Sequence, residues 1–180
     1  MSFPTQPAFI HSGSWDAESR KHPAMKWMEA YTDAFDSRES WSTPYTDWHV
    51  EDWYGVKADG QATSTGQKGW EELKEVYAPF LQQKHEPYFL VCFETHDGYE
   101  MIGQALVYGK LPGHPTADEK RVQDRSGKEW DVAVPGGFHF FYVKGDGAKH
   151  GGFLMKKSEI MSDSIPVVTI LQKRGLLKQE

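Results

Sequence analysis

Two periodicities divide the chain. From Ala24 to about Glu39, the residues Ala24, Trp27, Met28, Tyr31, Ala34 and Phe35 recur at three- and four-residue spacing, which predicts a helix with one apolar stripe. Pro23 stands at its start, where a missing N–H costs nothing. A second stripe of Trp70, Leu73, Tyr77, Phe80 and Leu81 predicts a helix from Lys68 to about Gln83. Thr65 can cap it, and Pro79 should kink it or end its regular part. Between the two lies WSTPYTDWHVEDWYGVKADGQATSTG, which reads as a short helix or turn, a strand near His49–Val56 and a turn at Asp59-Gly60.

From Tyr88 onward the period falls to two. Tyr88–Thr95, a turn at His96-Asp97-Gly98, and Tyr99–Lys110 form an expected hairpin. Leu111–Asp124 is a polar loop. Lys128–Lys144 reads as a long strand with a bulge or bend at Pro135-Gly136-Gly137. Phe153–Met161 is a last strand, and Pro166–Leu177 closes the chain with an apolar helix or turn. Helices thus come first and antiparallel strands follow, without parallel βα alternation. That order predicts an α+β domain, with helices against one face of a curved antiparallel sheet. Residues 1–22 lack periodicity and form an N-terminal arm, either mobile or docked on the body. Residues 23–180 then make a single domain, in keeping with a length of 180 residues.

Aromatic content changes the picture. Seven Trp, eight Tyr and ten Phe build either a large aromatic core or a pocket walled by aromatic rings, and both can hold. Trp27, Tyr31, Trp48, Trp53, Tyr77, Phe80, Phe89 and Phe141 are the expected wall. A net charge of −6 argues against a nucleic-acid-binding face. The single cysteine, Cys92, excludes an internal disulfide and sits in an apolar run, as an inert core residue does. No run approaches the ~18 apolar residues of a membrane span. The N-terminus lacks the basic start and apolar stretch of a secretory signal, so a cytoplasmic location is expected.

Chemistry is carried by few residues. No histidine pair has the i, i+4 spacing of a zinc-protease helix, and no Gly-rich phosphate loop is present, so work without a cofactor or metal is expected. Asp36 and Arg38 stand two apart at a helix end, as base and cation or as a surface pair. Arg38 falls within the apolar stripe, so its guanidinium either enters a pocket or snorkels to water. His85 opens a strand beside Glu86 and Pro87, as a pocket base or a solvated loop residue. His139 lies in Phe138-His139-Phe140-Phe141 and reaches a pocket only if His139 and Phe141 take the concave face. Asp52, Glu94 and Gln104 are weaker candidates.

Several segments occur in a telling order: the helix Met25–Trp41, an acidic aromatic strand leading to Gly66 and GWEELKEVYAPF, then DRSGKEWDVAVPGGFHFFYVKGDG, then GGFLMKKSEIMSDS before a short apolar helix. From about residue 24 to 177 the chain resembles the SnoaL-like group of the nuclear transport factor two-like superfamily. The resemblance implies a cone of curved sheet and helices around one small-molecule pocket. Within it, TDAFDSRESW resembles the end of the first helix in the fungal scytalone dehydratase family. That implies a pocket aspartate at Asp36 and a catalytic histidine at His85. The second family histidine would fall in EMIGQALVYG, which carries Gln104 or Ala105 instead, so the same dehydration is not implied. The resemblance suggests a cofactor-independent acid–base enzyme of secondary metabolism: a cyclase, isomerase, dehydratase or epoxide-opening enzyme. Its substrate would be an apolar polyketide- or terpenoid-like small molecule, and a homodimer is expected. The alternative is a non-catalytic binding or dimerisation module on the same fold.

Overall fold

The computed structural model describes residues 6–178. The elements are β1 (Ala8–Ser12), α1 (Pro23–Asp36), α2 (Glu39–Ser42), β2 (His49–Val56), α3 (Gly66–Tyr77), β3 (Gln82–Glu94), β4 (Gly98–Lys110), β5 (Val122–Gln123), β6 (Glu129–Trp130), β7 (Val132–Lys144), β8 (Phe153–Ser162) and α4 (Ile165–Lys173). Six strands form one curved, open sheet in the order β1-β3-β4-β7-β8-β2, and β5 pairs with β6 apart from it. The architecture is the expected α+β cone. The sheet is not wholly antiparallel, because β2 runs parallel to β8 at one edge. These two strands are far apart in sequence, so no hairpin constrains their direction.

Helix α1 buries its stripe, with Ala24, Met25, Trp27, Met28, Tyr31 and Phe35 all less than a tenth exposed. It stops at Asp36, three residues before the expected end. Arg38 has φ 62°, the left-handed conformation that breaks a helix, and the chain re-enters helix at Glu39. Helix α3 is also shorter than its apolar pattern, ending at Tyr77. Pro79 has no N–H for the next helical bond, and the Phe80 N–H instead donates to the Tyr77 carbonyl at 3.0 Å. The strand that follows therefore starts at Gln82 rather than Tyr88. At the N-terminus, residues 8–12 of the expected arm are docked as an edge strand, from Ala8 opposite Phe93 to Ser12 opposite Phe89. Residues 1–5 of that arm lie outside the described residues.

Two bulges decide which side chains look inward. Pro87 pairs with Ala105 and Phe89 with Gln104, so Tyr88 is the extra residue in β3. His85 and Pro87 face the concave side before it, and Leu90 and Cys92 face that side after it. In β8, Phe141 opposes Lys157 and Tyr142 opposes Met155, so Lys156 is extra. Met155 points inward before that bulge, and Ser158, Ile160 and Ser162 after it.

Helix α4 covers one side of the cavity, with Val167 and Leu171 buried. Arg174, just past its end, has a fully buried side chain. Its guanidinium donates to the Glu119 carboxylate at 2.6 Å, to the Leu111 carbonyl at 2.8 Å and to Asp131 at 3.1 Å. The polar loop 111–124 thus clamps α4 and contributes nothing to the cavity wall. Among the described residues, no helix is long and apolar enough to cross a membrane.

Candidate functional site

Asp36 ends α1, where the helix dipole disfavours a carboxylate. Two hydrogen bonds from β3 offset that cost. The His85 backbone N–H donates to Oδ2 at 2.7 Å, and His85 Nδ1 lies 2.6 Å from Oδ1. A carboxylate accepts only, so the neutral ring carries its proton on Nδ1 and leaves Nε2 as a bare acceptor. Nε2 is 3.1 Å from the Tyr77 hydroxyl, which donates to it. Both partners are largely sheltered, with side-chain exposures of 17% for His85 and 16% for Asp36. The Phe35 ring meets the imidazole edge-on at 5.7 Å. Burial, then the nearby Asp36 charge, push the Tyr77 hydroxyl well above the ordinary tyrosine range, so it stays protonated and able to donate.

His85 and Tyr77 look into a cavity of about 330 Å³ enclosed by α1, α3, α4 and the concave sheet face. That volume lies at the lower end of small-molecule sites. The wall is overwhelmingly apolar. Phe35 and Phe80 form one side, Phe138 and Phe140 the sheet side, and Val167 and Leu171 the closing side. The Phe80 ring lies over Gly109, where any Cβ would overlap it, so that glycine is required for this wall to close.

A second histidine stands behind the wall. Tyr31 lines the cavity and its hydroxyl lies 3.1 Å from His49 Nε2, while His49 Nδ1 donates to the Tyr45 carbonyl at 2.9 Å. Burial drives His49 down to about 4, so the ring is neutral at physiological pH. Its carbonyl partner fixes the Nδ1–H tautomer, and Tyr31 therefore donates to Nε2. Sequence reasoning did not single out His49. The signal was its place four positions before the fully buried Trp53 on the same strand.

The expected site residues separate into three groups. Tyr31, Tyr77, Phe80 and His85 line the cavity, and Asp36 stands directly behind His85. Trp27, Trp48 and Trp53 are core residues beneath the wall, with Trp27 Nε1 donating to the Phe153 carbonyl at 3.0 Å and Trp48 stacked on His150 at 3.5 Å. Arg38, Phe89, Phe141 and His139 face away from the cavity. The left-handed turn at Arg38 rotates it out of the helical stripe, so its guanidinium donates to the Phe80 carbonyl and lies 4.6 Å over the Trp41 ring. The Tyr88 bulge sends Phe89 outward. On β7 the concave face goes to Phe138, Phe140 and Tyr142, whose three rings bury more apolar area than one Phe and one His would. His139 is left on the convex face between Glu100 at 3.0 Å and Glu159 at 3.4 Å. Asp52, Glu94 and Gln104 are exposed. Among the described residues, no three His, Cys, Asp or Glu side chains converge as metal ligands.

No family model and no curated protein matches the sequence. Solved structures do. ActVI-ORFA from Streptomyces coelicolor superposes with a TM-score of 0.54 at 16% identity, covering 79% of this chain and 96% of its own. A LinA-type3 hexachlorocyclohexane dehydrochlorinase from Novosphingobium barchaimii LL02 gives 0.55 at 12% identity, over 82% and 91%. A Shewanella denitrificans OS-217 protein assigned as a SnoaL-like polyketide cyclase gives 0.50 at 13% identity, over 88% and 99%. At these identities the likeness is one of fold. The chain shares the fold of these structures, the SnoaL-like protein among them.

Proposed function

We propose that this chain is a cofactor-free acid–base enzyme that takes a proton from carbon in an apolar small molecule, with His85 as the base. One observation carries the reading: His85 turns Nε2 to an apolar cavity while Asp36 holds Nδ1 at 2.6 Å. An unprotonated imidazole nitrogen at an apolar pocket is suited to general-base work, and the carboxylate behind it stabilises the imidazolium that forms.

The steps follow from the hydrogen bonds. In the free protein the Tyr77 O–H occupies the Nε2 lone pair. A ligand C–H displaces it and gives its proton to Nε2. The C–H electron pair moves into an adjacent carbonyl or expels a leaving group on the next atom. Tyr77, still protonated, is then free to donate to the oxygen or leaving atom that gains charge. The proton on Nε2 returns to carbon in an isomerisation or cyclisation, or departs with the leaving group in an elimination. The names of two fold neighbours, a polyketide cyclase and a dehydrochlorinase, support chemistry of this kind. The apolar wall favours a polyketide- or terpenoid-like substrate over a sugar or a nucleotide.

The test needs no knowledge of the natural substrate. 5-Nitrobenzisoxazole loses its C–H proton to a base, the N–O bond breaks, and a coloured cyanonitrophenolate forms. The wild-type protein should accelerate this over an equal concentration of imidazole. His85→Ala should cost about a hundred-fold or more, and Asp36→Asn about ten-fold, within the usual range for a positioned base and its orienting group. Unchanged turnover in His85→Ala would remove His85 as the base. Tight binding of the probe without any acceleration would favour a binding module instead.

A further inference from the structure

Most polar groups on the cavity wall already have a partner within the protein. Tyr31 is taken by His49, Tyr77 by His85, and the Thr32 hydroxyl donates to the Met28 carbonyl at 2.8 Å. Ser162 and Ser164 stand at the exposed rim. Ser158 is different. It is 2% exposed, lies on the cavity wall, and its Oγ has no hydrogen-bond partner. Among the described residues, it is the only buried polar side-chain atom without a partner that belongs to a residue on this wall. Proteins rarely leave a buried hydroxyl unmatched without a use for it.

Position adds to this. Ser158 points inward because of the bulge at Lys156, directly after two consecutive lysines. Its neighbour in the parallel ladder is Gly55, which presents no side chain beside the hydroxyl. His85 is on β3 and Ser158 on β8, three strands away. The register adds an offset along the strands, because His85 is level with Val134 on β7 and Ser158 with Phe140, six residues further on. Three strand spacings and that offset make about 25 Å of sheet contour, so the two residues stand at different ends of the cavity.

We infer that Ser158 is a ligand-binding residue that anchors a terminal polar oxygen, hydroxyl or carbonyl, of an elongated and otherwise apolar molecule. The inference rests on the cavity being the site where His85 works, and it assigns the opposite end. A hydroxyl both donates and accepts, so Ser158 serves either kind of oxygen. Ser158 fixes which end of the ligand enters first, and so which C–H arrives at Nε2.

The experiment compares two probes, 2-naphthol and naphthalene, by quenching of tryptophan fluorescence in the wild-type protein and in Ser158→Ala. The wild type should prefer 2-naphthol, and Ser158→Ala should lower that preference about ten-fold, the usual worth of one buried hydrogen bond lost to a ligand. Naphthalene affinity should stay within about two-fold, because the cavity shape is kept. A preference that does not move, or an equal loss for both probes, would overturn the assignment. Failure of the wild type to bind either probe would overturn the ligand class. The outcome is separable from the fate of His85. A moved preference with no proton abstraction leaves Ser158 standing without the catalysis, and the converse leaves the base standing without the anchor.

Discussion

The sheet carries two imidazole–carboxylate pairs, and they differ in what surrounds the ring. His85 on β3 has Asp36 on Nδ1 and keeps Nε2 for a hydroxyl on the cavity wall. His139 on β7 has Glu100 on Nε2 and Glu159 on Nδ1, with Lys157 bonded to Glu159 in turn at 2.5 Å. Both nitrogens of His139 face carboxylates on the convex side, so neither is turned to the cavity. A histidine beside a carboxylate is therefore no signature of a base by itself. The second nitrogen and the space it faces decide the matter.

That contrast can be broken by substitution. The largest separation is expected in proton abstraction, where His139→Ala should stay within about two-fold of wild type while His85→Ala falls by about a hundred-fold or more. Equal losses in the two variants would erase the distinction between the faces. Next in size is stability along β7. Phe140→Ala on the concave side should cost about 3–5 kcal/mol in urea unfolding, and Phe141→Ala on the convex side under about 1 kcal/mol, because only the first leaves a cavity in the core. Similar costs would mean that the convex face is also buried in solution.

A third histidine sharpens the comparison through pH. His49 has no carboxylate and is fully buried, and its folded-state value of about 4 lies below the ordinary 6.5. Between those two values the unfolded chain binds a proton that the folded chain does not, so stability must fall as pH is lowered through that window. The full loss is about 3 kcal/mol by pH 4, and His49→Gln should remove that part of the slope. An unchanged slope in the variant would place the acid sensitivity elsewhere. The smallest effect is expected for Tyr77→Phe, about ten-fold in turnover of a substrate whose charge develops on oxygen, with the fold intact.

Much of this was legible in the chain. The stripe of α1, the hairpin β3–β4 and the closing strand and helix follow from periodicity, and the likeness of TDAFDSRESW points to Asp36 and His85. Orientation was not legible. Period-two alternation cannot foresee the extra residues Tyr88 and Lys156, yet these set the inward faces of His85 and Ser158 on their strands. Arg38 fits the helical stripe by spacing, but the helix ends two residues earlier and a left-handed turn carries it away. The broken local preference at Asp36, an acid at a helix C-terminus, was the readable sign that this position serves something other than the helix.

The most direct measurement is the ring nitrogen spectrum of His85 in protein labelled with ¹⁵N histidine, using His85→Gln to assign the signals. The hydrogen bonds predict that the neutral ring carries its proton on Nδ1, toward Asp36, with Nε2 bare toward the cavity. Replacing Asp36 with Asn should disturb that tautomer. A neutral ring protonated on Nε2 in the wild type would make His85 a donor to Tyr77, and it would contradict the assignment of His85 as the base.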